Sequence, residues 1–377
     1  MLQMQVPEAW NVLAQSGKSK PGFGITIAHL DTGIIPLNSI LFTNKVSAGS
    51  LGVQLPSMSS QVPGFNFVQP ELSPLDNDPK ALSFGHGTST ASLFVGWLSA
   101  GENQPFEFRG LAPWIKLFPI KVTDSVVMVG NMSTRGTADL RNLAKGIELA
   151  TKLKAHVISI SLGAMFDAEG LIQKSVENAI ENGAIVVAAG GQTFPVGLIP
   201  LPARLPSVVA VSASTREKMP WSEAFTGRHI DWSVPGADIC HVRAGLVSGL
   251  PEFPIDIDSI VRISGRRGDE LKFTDGLIIS SGTSFSTAFT AAAAALWLQF
   301  HSPEELANRY GRKNISKLFE VTSKKFAMET PPGWQSEKHG RGILNIHKLI
   351  TAPLPCGETD NKETCKVKTE HFLNFAP

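Results

Sequence analysis

Short apolar runs rich in β-branched residues alternate with helical patterns through most of this sequence, and this alternation constrains its fold more than any other feature. The runs 25–30, 115–122, 156–162, 184–189 and 207–213 are predicted to be strands that are buried on both faces. Between them, apolar residues recur at helical spacing from Leu140 to Ala150 and from Leu171 to Ile180. Strands that alternate with helices predict an α/β fold, with a mostly parallel twisted central sheet and helices on both faces.

The chain of 377 residues is long enough for one large α/β domain. Gly- and Pro-containing loops are predicted at 56–79, 192–206 and 245–275, and the last is treated as a loop insertion. From Thr351 onward Pro, Lys, Glu and Thr dominate. We therefore predict one catalytic domain over 1–350 and a C-terminal extension over 351–377.

Composition excludes several classes of partner. Hydrophobic residues make up 42% and charged residues 18%, which indicates a compact globular protein. The net charge is +1, and no Lys/Arg-rich cluster is interleaved with aromatics, so no nucleic-acid partner is expected. The longest apolar run, 288–300, is shorter than the ~20 residues that span a bilayer, so no membrane partner is expected either.

The three cysteines, Cys240, Cys356 and Cys365, are too few for a disulfide scaffold. Cys356 and Cys365 are spaced to pair across a short polar loop, but free thiols in a reducing compartment are the favoured interpretation. The first residues show no signal peptide. A cytoplasmic location is expected, or secretion if a leader or propeptide is missing from the sequence.

Three polar residues end or begin predicted elements. Asp31 follows the first buried strand in Leu30-Asp31-Thr32-Gly33, where a parallel sheet builds its sites. His86 lies between two glycines and precedes a small-residue helical run over 89–98. Ser284 opens the Ala-rich helix that continues to Phe300, where backbone N–H groups face any developing anion.

Each of these residues also has a purely structural interpretation. Asp-Thr-Gly is a common turn, Ser284 or Thr283 suits a helix cap, and a histidine beside glycines is usually a loop residue. Together, however, they run Asp, His, Ser along the chain and are predicted to meet at one sheet edge. This order is one of three unrelated ways to build a serine-protease triad.

At these residues the chain resembles the subtilisin-like (subtilase, peptidase S8) family. The three signatures of that family are similar to Asp31-Thr32-Gly33, His86-Gly87-Thr88 and Gly282-Thr283-Ser284. Further likeness lies at 110–113, 120–122, 159–163, 206–211 and 340–345, so the resemblance covers nearly all of residues 5–350. It implies a subtilisin-like fold and a serine endopeptidase that acts on a peptide or protein substrate through an acyl-enzyme.

The resemblance also implies roles for single residues. Ser284 would be the nucleophile, His86 the general base, and Asp31 the carboxylate that orients the histidine. Two segments would line the pocket for the residue before the scissile bond, although they also suit tightly packed strand ends: Ser161, Leu162 and Gly163, and Ala188, Ala189 and Gly190.

One departure from the family concerns the oxyanion hole. Where the family reads Ala-Ala-Gly-Asn, this chain has Ala188-Ala189-Gly190-Gly191, followed by Gln192. Three alternatives stay open: Gln192 donates in place of the asparagine, the Ser284 backbone and a water suffice, or the enzyme is weakened. Loss of one such donor costs ~10²–10³ in turnover.

Other features of relatives are not carried over. The loop 100–109 lacks an array of carboxylates, so the calcium site that many relatives hold in this region is not expected. No other metal site and no cofactor is expected either. Glu8-Ala9-Trp10 resembles the first mature helix of the family, and only seven residues precede it. No inhibitory propeptide is therefore expected within this sequence.

Two other functions fit the same residues. A subtilase-type peptide cyclase or ligase would use the same triad and differ only in excluding water from the acyl-enzyme. A pseudoprotease would keep the peptide groove as a binding module, and Gly191 is the feature that favours it. The sequence gives no oligomeric state and no natural substrate.

Overall fold

The computed structural model describes residues 1–34, 65–70, 76, 83–98, 108–128, 134–167, 169–192, 197–243 and 276–356. The predicted insertion at 245–275, most of the loop 100–109 and most of the extension 351–377 lie outside these residues. The proposed division at residue 350 therefore stays a prediction.

The five runs predicted to be strands are strands, with ends that differ by one or two residues. They are β1 (Thr26–Asp31), β5 (Lys116–Lys121), β7 (Val157–Ile160), β9 (Ile185–Ala189) and β10 (Val209–Ser214). Almost every residue in them is buried, because helices cover both faces of the sheet. The predicted α/β fold with a mostly parallel sheet is confirmed.

The described central sheet has nine strands in the order β14-β15-β11-β10-β9-β7-β1-β5-β2. Its pairs are parallel except β14 with β15. The short members are β2 (Phe65–Asn66), β11 (Trp232–Pro235), β14 (Met328–Glu329) and β15 (Ile343–Leu344). Because β1 lies between β5 and β7, its carboxyl end is at the centre of one sheet edge.

Three two-stranded pairs lie outside the central sheet. They are β3 (Trp97–Leu98) with β4 (Phe108–Arg109), β6 (Val127–Met128) with β8 (Gly163–Ala164), and β12 (Ile239–Arg243) with β13 (Gly276–Ser280).

The longer helices pack on the two faces. They are α1 (Val6–Gln15), α2 (His86–Val95), α3 (Thr134–Lys152), α4 (Leu171–Glu181), α5 (Thr283–His301), α6 (Pro303–Tyr310) and α7 (Ile315–Phe326); two shorter ones are α8 (Ser336–His339) and α9 (Ile346–Thr351). The hydrophobic core forms two clusters, one on each face of the sheet. The alanine-rich α5 is buried almost throughout and packs directly on β7, β9 and β10.

The histidine helix differs from its predicted bounds of 89–98. It begins at His86 and ends at Val95, and Trp97 and Leu98 form β3 instead. Gly96 leaves the helical conformation at φ −55° and ψ 140°. A Cβ at this position would lie 2.5 Å from the Phe108 ring, so β4 packs where the helix would have continued.

Candidate active site

The carboxylate of Asp31 lies at the carboxyl end of β1 and is almost fully buried. Its Oδ1 accepts hydrogen bonds from the Thr32 N–H at 2.8 Å and from His86 Nδ1 at 2.7 Å. Burial alone would raise the pKa of Asp31, but the adjacent His86 and the Thr32 N–H lower it below its usual value. Asp31 is thus held ionised.

The imidazole of His86 is fixed from one side by that carboxylate. An ionised carboxylate only accepts hydrogen bonds, so Nδ1 carries the proton and Nε2 is left as an acceptor. Burial disfavours the charged ring, but the Asp31 charge outweighs burial and raises the pKa of His86 above its usual value. A ring held in this tautomer is able to take a proton at Nε2.

Ser284 is the second residue of α5 and reaches the same sheet edge. Its hydroxyl donates to the Ser161 carbonyl at 3.1 Å, and the Ser161 hydroxyl donates to the Ser284 carbonyl at 3.2 Å. Ser161 follows β7, the neighbour of β1. The structure thus forms the Asp31–His86 pair, whereas Ser284 Oγ makes no hydrogen bond to His86 within the described residues. Such bonds often tighten only when substrate binds.

The two expected pocket walls follow neighbouring strands. Ser161–Gly163 comes after β7, and Ala188–Gly190 ends β9, with Ile160 opposite Ala188. Leu162, Ala188 and Ala189 are buried, and a Cβ on Gly163 would lie 2.6 Å from Pro200. Both walls are therefore closely packed, and their role in binding substrate stays a prediction.

The side chain of Gln192 lies over the start of α5. Its Oε1 accepts from the Thr283 N–H at 2.6 Å and from the Thr283 hydroxyl at 2.9 Å. Gly191 has φ +90°, and a Cβ there would lie 2.7 Å from the Phe225 ring. An asparagine at 191, as in the family, would therefore require the Phe225 ring to shift and would strain the backbone.

A second group of polar side chains behind the triad escaped the sequence analysis. Asp76 accepts at Oδ2 from the Thr32 hydroxyl at 2.8 Å and from the Gly85 N–H at 2.7 Å. Lys121, the last residue of β5, is fully buried and donates to the Thr32 carbonyl at 2.7 Å. A lysine inside a buried strand was the available signal, since such a charge needs a partner. Asp76, ten positions before His86 in a polar loop, gave none.

The described residues also bear on metal, membrane and cysteine predictions. Among them, no cluster of three or more His, Cys, Asp or Glu is placed to hold a metal ion, and no helix is long and apolar enough to cross a membrane. Most of the 100–109 loop lies outside them, so the absence of calcium there stays a prediction. Cys356 is disulfide-bonded, so the favoured interpretation as a free thiol is wrong for this residue, whereas Cys240 is free and exposed. Cys365 lies outside the described residues.

Comparison with known families decides the assignment. The subtilase family model matches residues 22–335. This chain belongs to the subtilase family. The family assigned from the sequence signatures is thereby confirmed.

Individual relatives of this subtilase are distant. It is 26% identical over 236 residues to the minor extracellular protease Epr of Bacillus subtilis, covering 63% of this chain and 30% of Epr. It is 30% identical over 224 residues to a thermostable alkaline protease of Halalkalibacterium halodurans, covering 59% of this chain and 51% of that protease. The chain thus spans about half or less of the length of these two relatives.

A solved structure supports the fold. The prenylagaramide maturation protease PagA superimposes with a TM-score of 0.57 at 22% identity, covering 90% of this chain and 96% of PagA.

Proposed function

We propose that this subtilase is a serine endopeptidase that hydrolyses peptide bonds through Asp31, His86 and Ser284. The observation that carries the proposal is the 2.7 Å hydrogen bond from His86 Nδ1 to Asp31 Oδ1 at the end of β1. The Ser284 hydroxyl donates to the carbonyl of Ser161, which follows the adjacent strand β7. Membership of the subtilase family supports it. The substrate is a peptide or protein chain.

The reaction follows from the state of these three side chains. His86 Nε2 removes the Ser284 proton as Oγ attacks the carbonyl carbon, and the imidazolium then protonates the leaving amine. Water hydrolyses the resulting ester by the same steps, with His86 as base and then as acid. Asp31 accepts the Nδ1–H throughout and stabilises the positive ring. We expect the main-chain N–H of Ser284, in the first turn of α5, to donate to the oxyanion.

We assign the side-chain donor of the oxyanion hole to Gln192. Its Oε1 accepts from the N–H and from the hydroxyl of Thr283. If the amide were rotated by 180°, its NH₂ group would face the Thr283 N–H, and neither group can accept a hydrogen bond. Nε2 is therefore directed away from Thr283 N and lies beside Gly282, 3.2 Å from where a Cβ on that glycine would be. Nε2 makes no hydrogen bond within the described residues, and the Gly282 that it lies beside is two positions before Ser284. This supports donation from Gln192 over a hole completed by water.

Labelling with a serine-directed fluorophosphonate tests the triad. The Ser284 oxygen should displace fluoride from phosphorus, giving an adduct that peptide mapping locates at Ser284. Ser284→Ala should abolish the adduct and His86→Ala should reduce it strongly. Ser286→Ala is the matched control, because that hydroxyl is buried and already donates to main-chain carbonyls. An adduct at another serine, with Ser284 unmodified, would reject the triad.

The two alternative functions separate in further assays. A pseudoprotease that only binds peptides would take up no label. A cyclase or ligase would take up label, but its cyclic or ligated products would lack the mass of the water that hydrolysis adds. Mass spectrometry resolves this difference.

The cellular location also belongs to this proposal. The expected cytoplasmic location is not supported: Epr is by name extracellular, and Cys356 is disulfide-bonded. Because structural disulfides persist mainly in oxidising compartments, we favour secretion, the other alternative.

A further inference from the structure

The main-chain N–H groups on both sides of His86 are linked to one buried carboxylate, one directly and one through a threonine hydroxyl. Asp76 Oδ2 accepts directly from the Gly85 N–H at 2.7 Å. It also accepts from the Thr32 hydroxyl at 2.8 Å, whose oxygen accepts in turn from the Gly87 N–H at 3.2 Å. Asp76 is thus linked to the residues that precede and follow the histidine.

The same carboxylate is linked to the triad aspartate. Thr32 directly follows Asp31, and its N–H donates to Asp31 Oδ1, the oxygen that receives His86 Nδ1. The Thr32 carbonyl accepts from Lys121 Nζ. Every polar atom of Thr32 therefore has a partner, and these bonds set where Asp31 and His86 meet.

The charge of Asp76 has a buried counterion. Asp76 is 3% exposed, and its Oδ1 lies 3.9 Å from Nζ of the fully buried Lys121. Lys121 Nζ also lies 2.7 Å from Asp124 Oδ1. A buried carboxylate without a partner is strongly unfavourable, so an apolar residue at 121 would remove support for Asp76 as well.

We propose that Asp76 is a positioning residue for His86, acting through the Gly85 N–H and through the Thr32 hydroxyl. This inference rests on the proposed function, since it assigns a role within that site. Asp76 contacts no reacting atom. It fixes the backbone from which the imidazole projects toward Asp31.

Two variants test the proposal. In Asp76→Ala the Gly85 N–H and the Thr32 hydroxyl lose their acceptor. We expect kcat to fall by ~10²-fold with little change in KM, as for a catalytic group displaced by about 1 Å. Asp76→Asn keeps an acceptor oxygen but loses the charge, so kcat should fall less. It also keeps the assay usable if the alanine variant fails to fold.

The titration of His86 separates positioning from mere structural support. The groups that act on this ring are Asp31, Asp76 and His29, and the negative charge of Asp76 raises the pKa of His86. Removing that charge in Asp76→Asn should move the acid limb of kcat/KM, and the His86 NMR titration, to lower pH. Asp231→Asn is the matched control, because Asp231 is also a largely buried aspartate paired with a lysine, and burial raises the pKa of Asp76 and of Asp231 to about 6. It should lower the melting temperature without moving either titration.

The outcomes for Asp76 and for the proposed function are distinguishable. If kcat and the His86 titration are unchanged in both Asp76 variants, the positioning role is rejected even though the parent enzyme hydrolyses peptides. If the parent hydrolyses no peptide, the proposed function fails, and the NMR titration of His86 alone decides the role of Asp76.

Discussion

The amide of Gln192 joins two segments that are 91 residues apart in the chain, because its oxygen caps the first turn of α5. Gly282, the N-cap residue, has no side chain to do this. The loop after β9 therefore supplies the missing acceptor. At the scale of single residues, one amide caps the helix that carries Ser284 with its oxygen and leaves its nitrogen beside Gly282 for the proposed role in the oxyanion hole.

These two roles of Gln192 are separable by substitution. Gln192→Glu keeps an oxygen for Thr283, and its charge suits a helix N-terminus, but it has no N–H to donate. We expect kcat to fall by at least ~10²-fold with KM and melting temperature nearly unchanged. Gln192→Ala should show a similar loss in kcat and, in addition, lower stability by about 1 kcal/mol through loss of the cap.

Steady-state kinetics and thermal melting of both variants make the measurement. A glutamate variant with kcat within threefold of the parent would exclude Gln192 as the donor. The reverse substitution, Gly191→Asn, is a poor test, because the new side chain would strain the backbone at φ +90° and displace the Phe225 ring as well as adding an amide.

At this scale the sequence predicted the residues whose chemistry has a local signature. Asp31, His86 and Ser284 lie at element ends in three short motifs, which is why they were found. Asp76 could not be found, since its role depends on a contact with Gly85 and Thr32 that only the folded loop creates.

At the scale of elements, the site depends on how closely α2 approaches β1. A Cβ added to Gly87 would lie 2.0 Å from the Gly33 carbonyl oxygen and 3.2 Å from Asp31 Cβ. The first turn of α2 therefore packs directly on the end of β1. Only a glycine allows the helix to begin here with its histidine at the aspartate.

Gly87→Ala should displace α2 from β1. We expect ~10²-fold lower kcat/KM, because His86 and Asp31 would no longer be 2.7 Å apart. Gly170→Ala is the control: Gly170 precedes α4 with φ +64° and has no atoms within 4 Å of an added Cβ. That change should cost about 1–2 kcal/mol of stability through backbone strain and leave kcat unaffected. Equal kinetics for the Gly87 variant and the parent would contradict the close approach.

The central elements were predictable because five buried strands and their helices carry strong patterns. The two-residue strands β3, β4, β6 and β8 were not, since two residues show no periodicity. The end of α2 at Val95 was also missed, because it depends on Phe108 from a distant segment.

At the scale of the whole molecule, His301 couples stability to acid. Its ring packs against Trp297 and Phe300 at the end of α5, and its Nε2 has no partner among the described residues. Burial, with repulsion from Lys18 and Arg309, lowers the pKa of His301 to about 4. The unfolded chain therefore binds a proton that the folded protein rejects between about pH 6.5 and 4.

His301→Phe should remove this dependence. Because the pKa of His301 is lower in the folded protein than in the unfolded chain, His301 does not reduce the free energy of unfolding above about pH 6.5. As the pH falls from there toward 4, the free energy of unfolding decreases. The parent should lose up to about 3 kcal/mol more than the variant between pH 7 and 4. Denaturant unfolding at several pH values measures the difference between the two proteins. The raised pKa values of Asp76 and Asp231 change stability with pH in the opposite direction, but they do so in both proteins and cancel in the difference. Parallel curves for the two proteins would rule out His301 as the acid-sensitive group.

The order of strands in the central sheet has a consequence during synthesis. Asp31 and Ser284 lie 253 positions apart, and β1 pairs with β5 and β7 while α5 joins only later. At ~5–20 residues per second the ribosome needs roughly 10–50 s to add the nucleophile after the carboxylate. Until Ser284 is added the emerging chain lacks the proposed nucleophile, so under the proposed function a nascent chain that already carries Asp31 and His86 has no hydroxyl with which to attack a peptide bond.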